Sequence, residues 1–404
     1  MKKGKTITLF IGVVLIVSTV LSACQSGYSA TELQKTMDAA VEKTISSQPT
    51  ATQIPTSTPV PTATVTPTQA PVQYGPTNFP ANVDPLTGLT VADPATLNRR
   101  PVMVKVSNFP REGRPHAGLS KADIVFDYST GEGANRYLAL FYGQDAEQVG
   151  PIRSGRYIDQ WLVSMYNGVL GMMYAWAPEY NEIVGRLGNQ RVINGTTNTC
   201  PAICKYDNLG VSEVSWFANT AELSKYYVSN GGSSDKPVLD GMAFNTTPPS
   251  GGTDGHDVTM HFGFANEGEF KYDAPTGKYL RWIDNKLSDT TYEMIPQLDR
   301  INNQQLAFSN VVILFASYTT LNGDDTMHEV GLVGASGRAL IFRDGQVFEA
   351  KWKGVNGTGP IQFFDANKQP FELQPGNTWI SITGTYSDVE QTEPGKYMIT
   401  FGKP

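Results

Sequence analysis

The chain has 404 residues, a formal net charge of -7 and three cysteines. That length allows two or three domains. The negative balance excludes a general nucleic-acid binder, which needs a basic stripe to neutralise phosphates, so no nucleic-acid partner is expected.

Residues 1–23 read as a lipoprotein signal peptide. Lys2, Lys3 and Lys5 precede an apolar run from Ile7 to Leu21, shorter than the roughly 18 residues of a spanning helix. The run ends in Leu21-Ser22-Ala23-Cys24, which resembles the lipobox of bacterial lipoproteins. That likeness implies a lipidated (palmitate-bearing) Cys24 as mature N-terminus and an anchor in the cell membrane. Residues 24–83 read as a disordered tether. Its stretch "QPTATQIPTSTPVPTATVTPTQAP" is nearly all Pro, Thr, Ala, Val, Gln and Ser. Such a composition buries too little apolar surface to offset its ordering entropy, and repeated prolines favour an extended spacer.

The folded part begins at residue 84 and reads as α+β. Residues 84–235 are expected to form a mixed α/β domain. "RPVMVKVSN", "ADIVFDY" and "RYLALFYG" are strand-like, with the turn-forming "STGEGAN" between the last two. In "VGPIRSGRYIDQW", Ser154 is the expected N-cap of a helix whose buried face carries Ile158, Trp161, Leu162 and Met165. "GVLGMMYAW" predicts a strand and "APEYNEIVGRLG" a helix closed by Gly188. Residues 236–404 are expected to form a smaller β-rich domain, a sandwich or barrel. The stretches "YDAPTGKY" and "FRDGQVF" predict hairpins.

The candidate chemistry is anion binding. Arg114, Arg136, Arg153 and Arg156 all fall at strand ends, loops or a helix start within one predicted domain. A guanidinium beside a helix N-terminus suits a carboxylate or phosphate. The competing reading is that Arg153 pairs with Glu132 or Asp127 to hold loops together. Asp127, Glu132 and His116 are the acid/base candidates. Glu179 and Glu182 share a helix face and read as solvated. Cys200 and Cys204, separated by three residues, read first as a disulfide, with free thiols as the alternative. His256 and His261 would point to opposite faces of a strand, so no metal site is expected, and no cofactor. No G-x-S-x-G elbow, Walker loop or zincin helix occurs, and no catalytic residue is assigned.

Pro85-Leu86-Thr87-Gly88-Leu89, "RPVMVKVSN", "RPHAGLSKADIVFDY", "ANRYLALFY", "VGPIRSGR", "YDAPTGKYLRW", "NVVIL", "GRALIFRDGQVFEAKW" and "LQPGNTWISI" follow one another through residues 84–385. In that order they resemble the YerB-like bacterial lipoproteins, a family built on a domain of unknown function. The resemblance implies an extracytoplasmic, lipid-anchored protein with two domains and no established enzymatic activity. Two stretches depart from the family. Gly131-Glu132-Gly133 stands where relatives tend to have Glu-Gly-Gly, and "EVSWFAN" lacks the histidine many carry. The expected function is a binding or scaffold role at the cell envelope, toward an anionic wall polymer or a wall-assembly protein. The alternative is a hydrolase or transferase acting on envelope glycans or lipid-linked phosphates.

Overall fold

The structure, a computed structural model, describes residues 72–196, 199–206 and 212–404. The signal peptide, Cys24 and the rest of residues 24–71 lie outside the described residues, whereas residues 72–83, expected to belong to the disordered tether, are ordered: Gln73–Tyr74 pairs antiparallel with Asn245 and Phe244, and Val83 is buried.

Val102–Ser107 (β1) is buried at every position, including Lys105. Ile124–Gly131 (β2) and Ala134–Phe141 (β3) form a hairpin. Its turn runs through Gly131, Glu132 and Gly133 at φ 91°, 51° and 70°, left-handed backbone that glycine adopts without steric cost. Tyr157–Met165 (α1), Val169–Met172 (β4), Ala177–Leu187 (α2) and Val192–Asn194 (β5) follow. Gly188, at φ 80°, stops α2, and its N–H bonds the Val184 carbonyl. Thr220–Ser229 (α3) completes this half. β1 lies between antiparallel β3 and parallel β4, and β5 runs parallel to β4. The carboxyl ends of β1, β4 and β5 therefore share one edge.

The second half contributes Asp257–Gly263 (β6), Asn266–Asp273 (β7), Lys278–Lys286 (β8) and Tyr292–Pro296 (β9). Asn310–Leu321 (β10), Asp324–Gly331 (β11), Ser336–Arg343 (β12) and Gln346–Lys353 (β13) come next. Thr378–Gly384 (β14), Asp388–Glu393 (β15) and Lys396–Thr400 (β16) end the chain. Between β12 and β13, Asp344 and Gly345 sit at φ 52° and 72°, as a two-residue hairpin turn requires.

The expected sandwich or barrel within residues 236–404 does not form. Instead β14 lies parallel to β2, Thr378 opposite Ile124 through Ile382 opposite Tyr128, with β10 parallel on its other side. Strands from both halves thus build one 12-stranded sheet, and in a second sheet of seven strands six run β9-β8-β7-β6-β16-β15 while the seventh, Ala307–Phe308, pairs with β8. The reason is burial. β14 is inaccessible along its whole length, so it needs strands on both edges and layers on both faces. Helices α1 and α2 cover one face, packing Ile158, Leu162 and Ile183 on Met103, Phe126 and Leu138. The second sheet and α3 cover the other, packing Val258, Phe270, Tyr279 and Leu223 on Val104, Val125 and Trp379.

Candidate anion-binding site

The segment "VGPIRSGR" crosses the carboxyl end of β1. The Ser107 N–H bonds the Pro151 carbonyl at 2.8 Å, and the Arg153 N–H bonds the Lys105 carbonyl at 2.9 Å. On its far side the segment pairs with the residues after β4. Met173 N–H reaches the Arg153 carbonyl at 3.1 Å, and Gly155 N–H reaches the Tyr174 carbonyl at 2.7 Å. Gly155 is required by space, since a Cβ there would stand 2.6 Å from the Met172 sulfur and 2.9 Å from Ile183. The helix N-cap is Arg156, displaced from the expected Ser154, and Asp159 Oδ2 accepts the Arg156 N–H at 2.7 Å.

Arg136, the third residue of β3, lies directly opposite Ser107, which brings it to this edge. Its Nη1 donates to the Ser154 carbonyl at 2.9 Å. Burial, then the charges of Arg156 and Arg153, push its pKa down to about 9. Arg153 is half-buried, and its Nε has no hydrogen-bond partner. Burial lowers its pKa, while Glu213 opposes the shift. Among the described residues neither arginine forms an ion pair within 4 Å. Both line a shallow cleft of about 620 Å³ with Arg111, Lys286, Phe109, Pro110 and Glu112. Of its four cations, Arg111 pairs with Asp284 at 3.0 Å and Lys286 with Asp289 at 2.7 Å, which leaves Arg136 and Arg153 as the cations of the cleft without an ion pair among the described residues.

The other two predicted arginines are turned elsewhere. Arg156 donates to the Gly155 carbonyl at 2.8 Å and faces Glu179 at 3.5 Å. Glu179, read from sequence as solvated, is buried because α2 folds it under the loop, and burial raises its pKa against the pull of Arg156. Arg114 sits 3.2 Å from the buried Asp284 carboxylate, which also holds Arg111 at 3.0 Å. Arg114 is thereby neutralised, and it does not line the cleft.

None of the acid/base candidates lines it either. His116 is buried. Its Nε2 faces the Ser107 carbonyl at 2.8 Å, and its Nδ1 lies 3.0 Å from the Gln297 amide. Burial and Arg114 push its pKa down to about 3. Asp127 is buried between the sheets, where it accepts from Asn135 at 2.6 Å. Burial raises its pKa to about 7 against the charge of Arg281. Glu132 is exposed at the β2–β3 turn, where its N–H bonds Asp325 at 3.1 Å. Neither acid pairs with Arg153. Cys200 and Cys204 are disulfide-bonded. His256 pairs with Asp254 and His261 with Glu267.

Beneath the cleft lies a cluster that sequence reading passed over. Lys105 projects toward α1 and bonds the Tyr128 hydroxyl and, at 3.2 Å, Asp159. Tyr128 also donates to Asp159. Burial lowers the Lys105 pKa to about 7, with Asp159 opposing. The signal was there: one lysine inside the apolar run "VMVKVS". Arg111 and Lys286 carried no such signal, because only tertiary folding sets them beside Arg136.

Family models match both halves. "Protein of unknown function (DUF3048) N-terminal domain" matches residues 86–233 and the corresponding C-terminal domain matches residues 258–380. "Putative lipoprotein YerB" of Bacillus subtilis (strain 168) is 30% identical over 309 residues, 74% of this chain and 85% of that protein. The crystal structure of YerB protein from Bacillus subtilis superposes with a TM-score of 0.63 at 26% identity, covering 74% of this chain and 96% of that one. With both domain models matched in order and a relative this similar over most of its length, the chain belongs to the DUF3048 family of YerB-like proteins.

Proposed function

We propose that this protein is a lipid-anchored extracytoplasmic binding protein of the cell envelope, held to the membrane through Cys24. Its head grips an anionic group with Arg136 and Arg153. The observation that carries this reading is the pair of guanidiniums on one cleft with no carboxylate ion-paired to either among the described residues. A guanidinium on a cleft wall with no ion-paired carboxylate keeps forked donors for a bidentate anion. The lipobox-like LSAC and the name of the Bacillus subtilis relative support the anchor.

The test is binding of long-chain polyphosphate to the detergent-purified full-length chain at several salt concentrations. The double variant Arg136→Ala/Arg153→Ala is expected to weaken binding at least about tenfold, since each charged hydrogen bond contributes about 1.5–3 kcal/mol. It is also expected to flatten the salt dependence by about two charges. Equal binding by the folded double variant would reject the reading.

A further inference from the structure

Two buried carboxyls meet on Gly143. Asp84 opens a tight turn ahead of β1. Its carbonyl accepts the Gly88 N–H at 2.8 Å, and its Oδ1 accepts the Leu86 N–H at 2.8 Å. Asp123 immediately precedes β2, and its Oδ2 accepts the N–H groups of Tyr142 and, at 3.0 Å, Gly143. Asp84 comes to the same residue, since a Cβ on Gly143 would stand 2.6 Å from Asp84 Oδ2. Asp84 is 1% exposed and Asp123 4%. Asp84 Oδ2 is buried with no hydrogen-bond partner. Among the described residues no cation lies within 4 Å of either carboxyl. Arg99 is taken by Asp145 at 2.8 Å, and the Tyr142 hydroxyl by the Leu97 carbonyl at 2.6 Å. The turn and β2 also grip the start of β14. The Thr87 carbonyl accepts the Gly376 N–H at 2.8 Å, and the Asp123 carbonyl accepts the Thr378 N–H at 3.0 Å.

Two neighbouring carboxyls without a paired cation do not both ionise in a buried site. We infer that Asp84 and Asp123 share one proton, and that this proton is a clasp that holds residues 84–91 on the sheet and lets go as the pH rises. The inference goes beyond the anion reading and does not depend on it. The surrounding charges agree. Burial pushes the Asp84 pKa up to about 7, against the Leu86 N–H, Thr87 and the charge of Lys236. Burial and then the Asp84 charge raise Asp123, against the Tyr142 and Gly143 N–H groups and Arg99. A released turn returns Asp84 to its ordinary 3.8. Between those values only the docked turn holds the proton, so docking is strongest in acid and weakens as the pH climbs to about 7.

The experiment uses the detergent-purified full-length chain and Asp84→Asn. The asparagine keeps an acceptor for the Leu86 N–H and carries its own N–H where the shared proton lay. At about pH 6 ordinary carboxyls are ionised, so the infrared carbonyl band of protonated acid should be weaker in Asp84→Asn than in wild type. Hydrogen exchange of the Leu86, Gly88 and Val91 amides is then compared between the two proteins at equal pH. The wild-type rate relative to the variant is expected to rise at least about tenfold from about pH 5 to about pH 8. Asp123→Asn supplies a second variant with the same expected loss of pH dependence, and circular dichroism reports that each folds. An undiminished band in both variants would overturn the shared proton. A rate ratio that stays constant with pH would overturn the clasp.

Discussion

Asp284→Asn removes one charge and almost no volume, at a point where the two sheets are tied together. The Asp284 side chain is fully inaccessible. It accepts from Arg111 Nε at 3.0 Å, from Arg114 at 3.2 and 3.4 Å, and from the Glu267 N–H at 3.3 Å. Arg111 and Arg114 come from the segment after β1, whereas Asp284 lies on β8 of the second sheet. Breaking a buried pair by removing one partner costs about 3–5 kcal/mol. The two arginine side chains retain 28% and 12% exposure, so water relieves part of the loss and about 3 kcal/mol is the working figure. Melting entropy of about 2.1 cal/mol/K per residue gives about 0.7 kcal/mol/K for roughly 330 residues. The melting temperature should therefore fall by about 4 °C in differential scanning calorimetry of the full-length chain. A fall below about 1 °C would refute the claim that this carboxylate neutralises both guanidiniums.

Lys105 gives a pH test. Its pKa drops from the usual 10.5 to about 7 on folding. Between those values the unfolded chain holds a proton on this amine that the folded chain lacks, so stability rises with pH across the window, and below it the cost of burying the charged amine is fully present and no longer changes with pH. Urea midpoints should increase from about pH 7.5 to about pH 9.5 in wild type, and Lys105→Met should abolish that increase. A slope that survives in Lys105→Met would assign it to other groups. Gly268 faces the guanidinium of Arg281, which is fully buried 4.1 Å over Trp379 and 4.6 Å over Phe270. Gly268→Ala should therefore destabilise by about 1–3 kcal/mol in urea unfolding, because neither the cage nor the backbone has room to give. A neutral result would show that Arg281 has an alternative place to lie.

Local rules were legible where local geometry decides. The Asp344-Gly345 hairpin and the Gly188 helix stop follow from residues that tolerate left-handed backbone. The segment "VGPIRSGR" marked the right edge of the sheet, and two of its surrounding arginines line the cleft. Arg114 could not be told from Arg136 in advance, because Asp284 lies 170 positions away from it. The continuity of the large sheet was hidden for the same reason. Parallel pairing of β14 with β2 joins strands at opposite ends of the chain, and no short pattern records such a partner. The N-cap was misplaced because serine is the commoner cap, whereas here Asp159 closes the turn onto Arg156.

The seat of β14 between β10 and β2 has a consequence for how the protein is made. During synthesis β2 emerges early, but its inner neighbour arrives only with residues 378–384. Until then the half-built sheet presents an open row of amide and carbonyl groups, the geometry that invites pairing with a stranger chain. Any truncation before residue 378 strands that edge permanently, so nonsense products of this gene should be recovered as aggregates or degraded, never as a working first half.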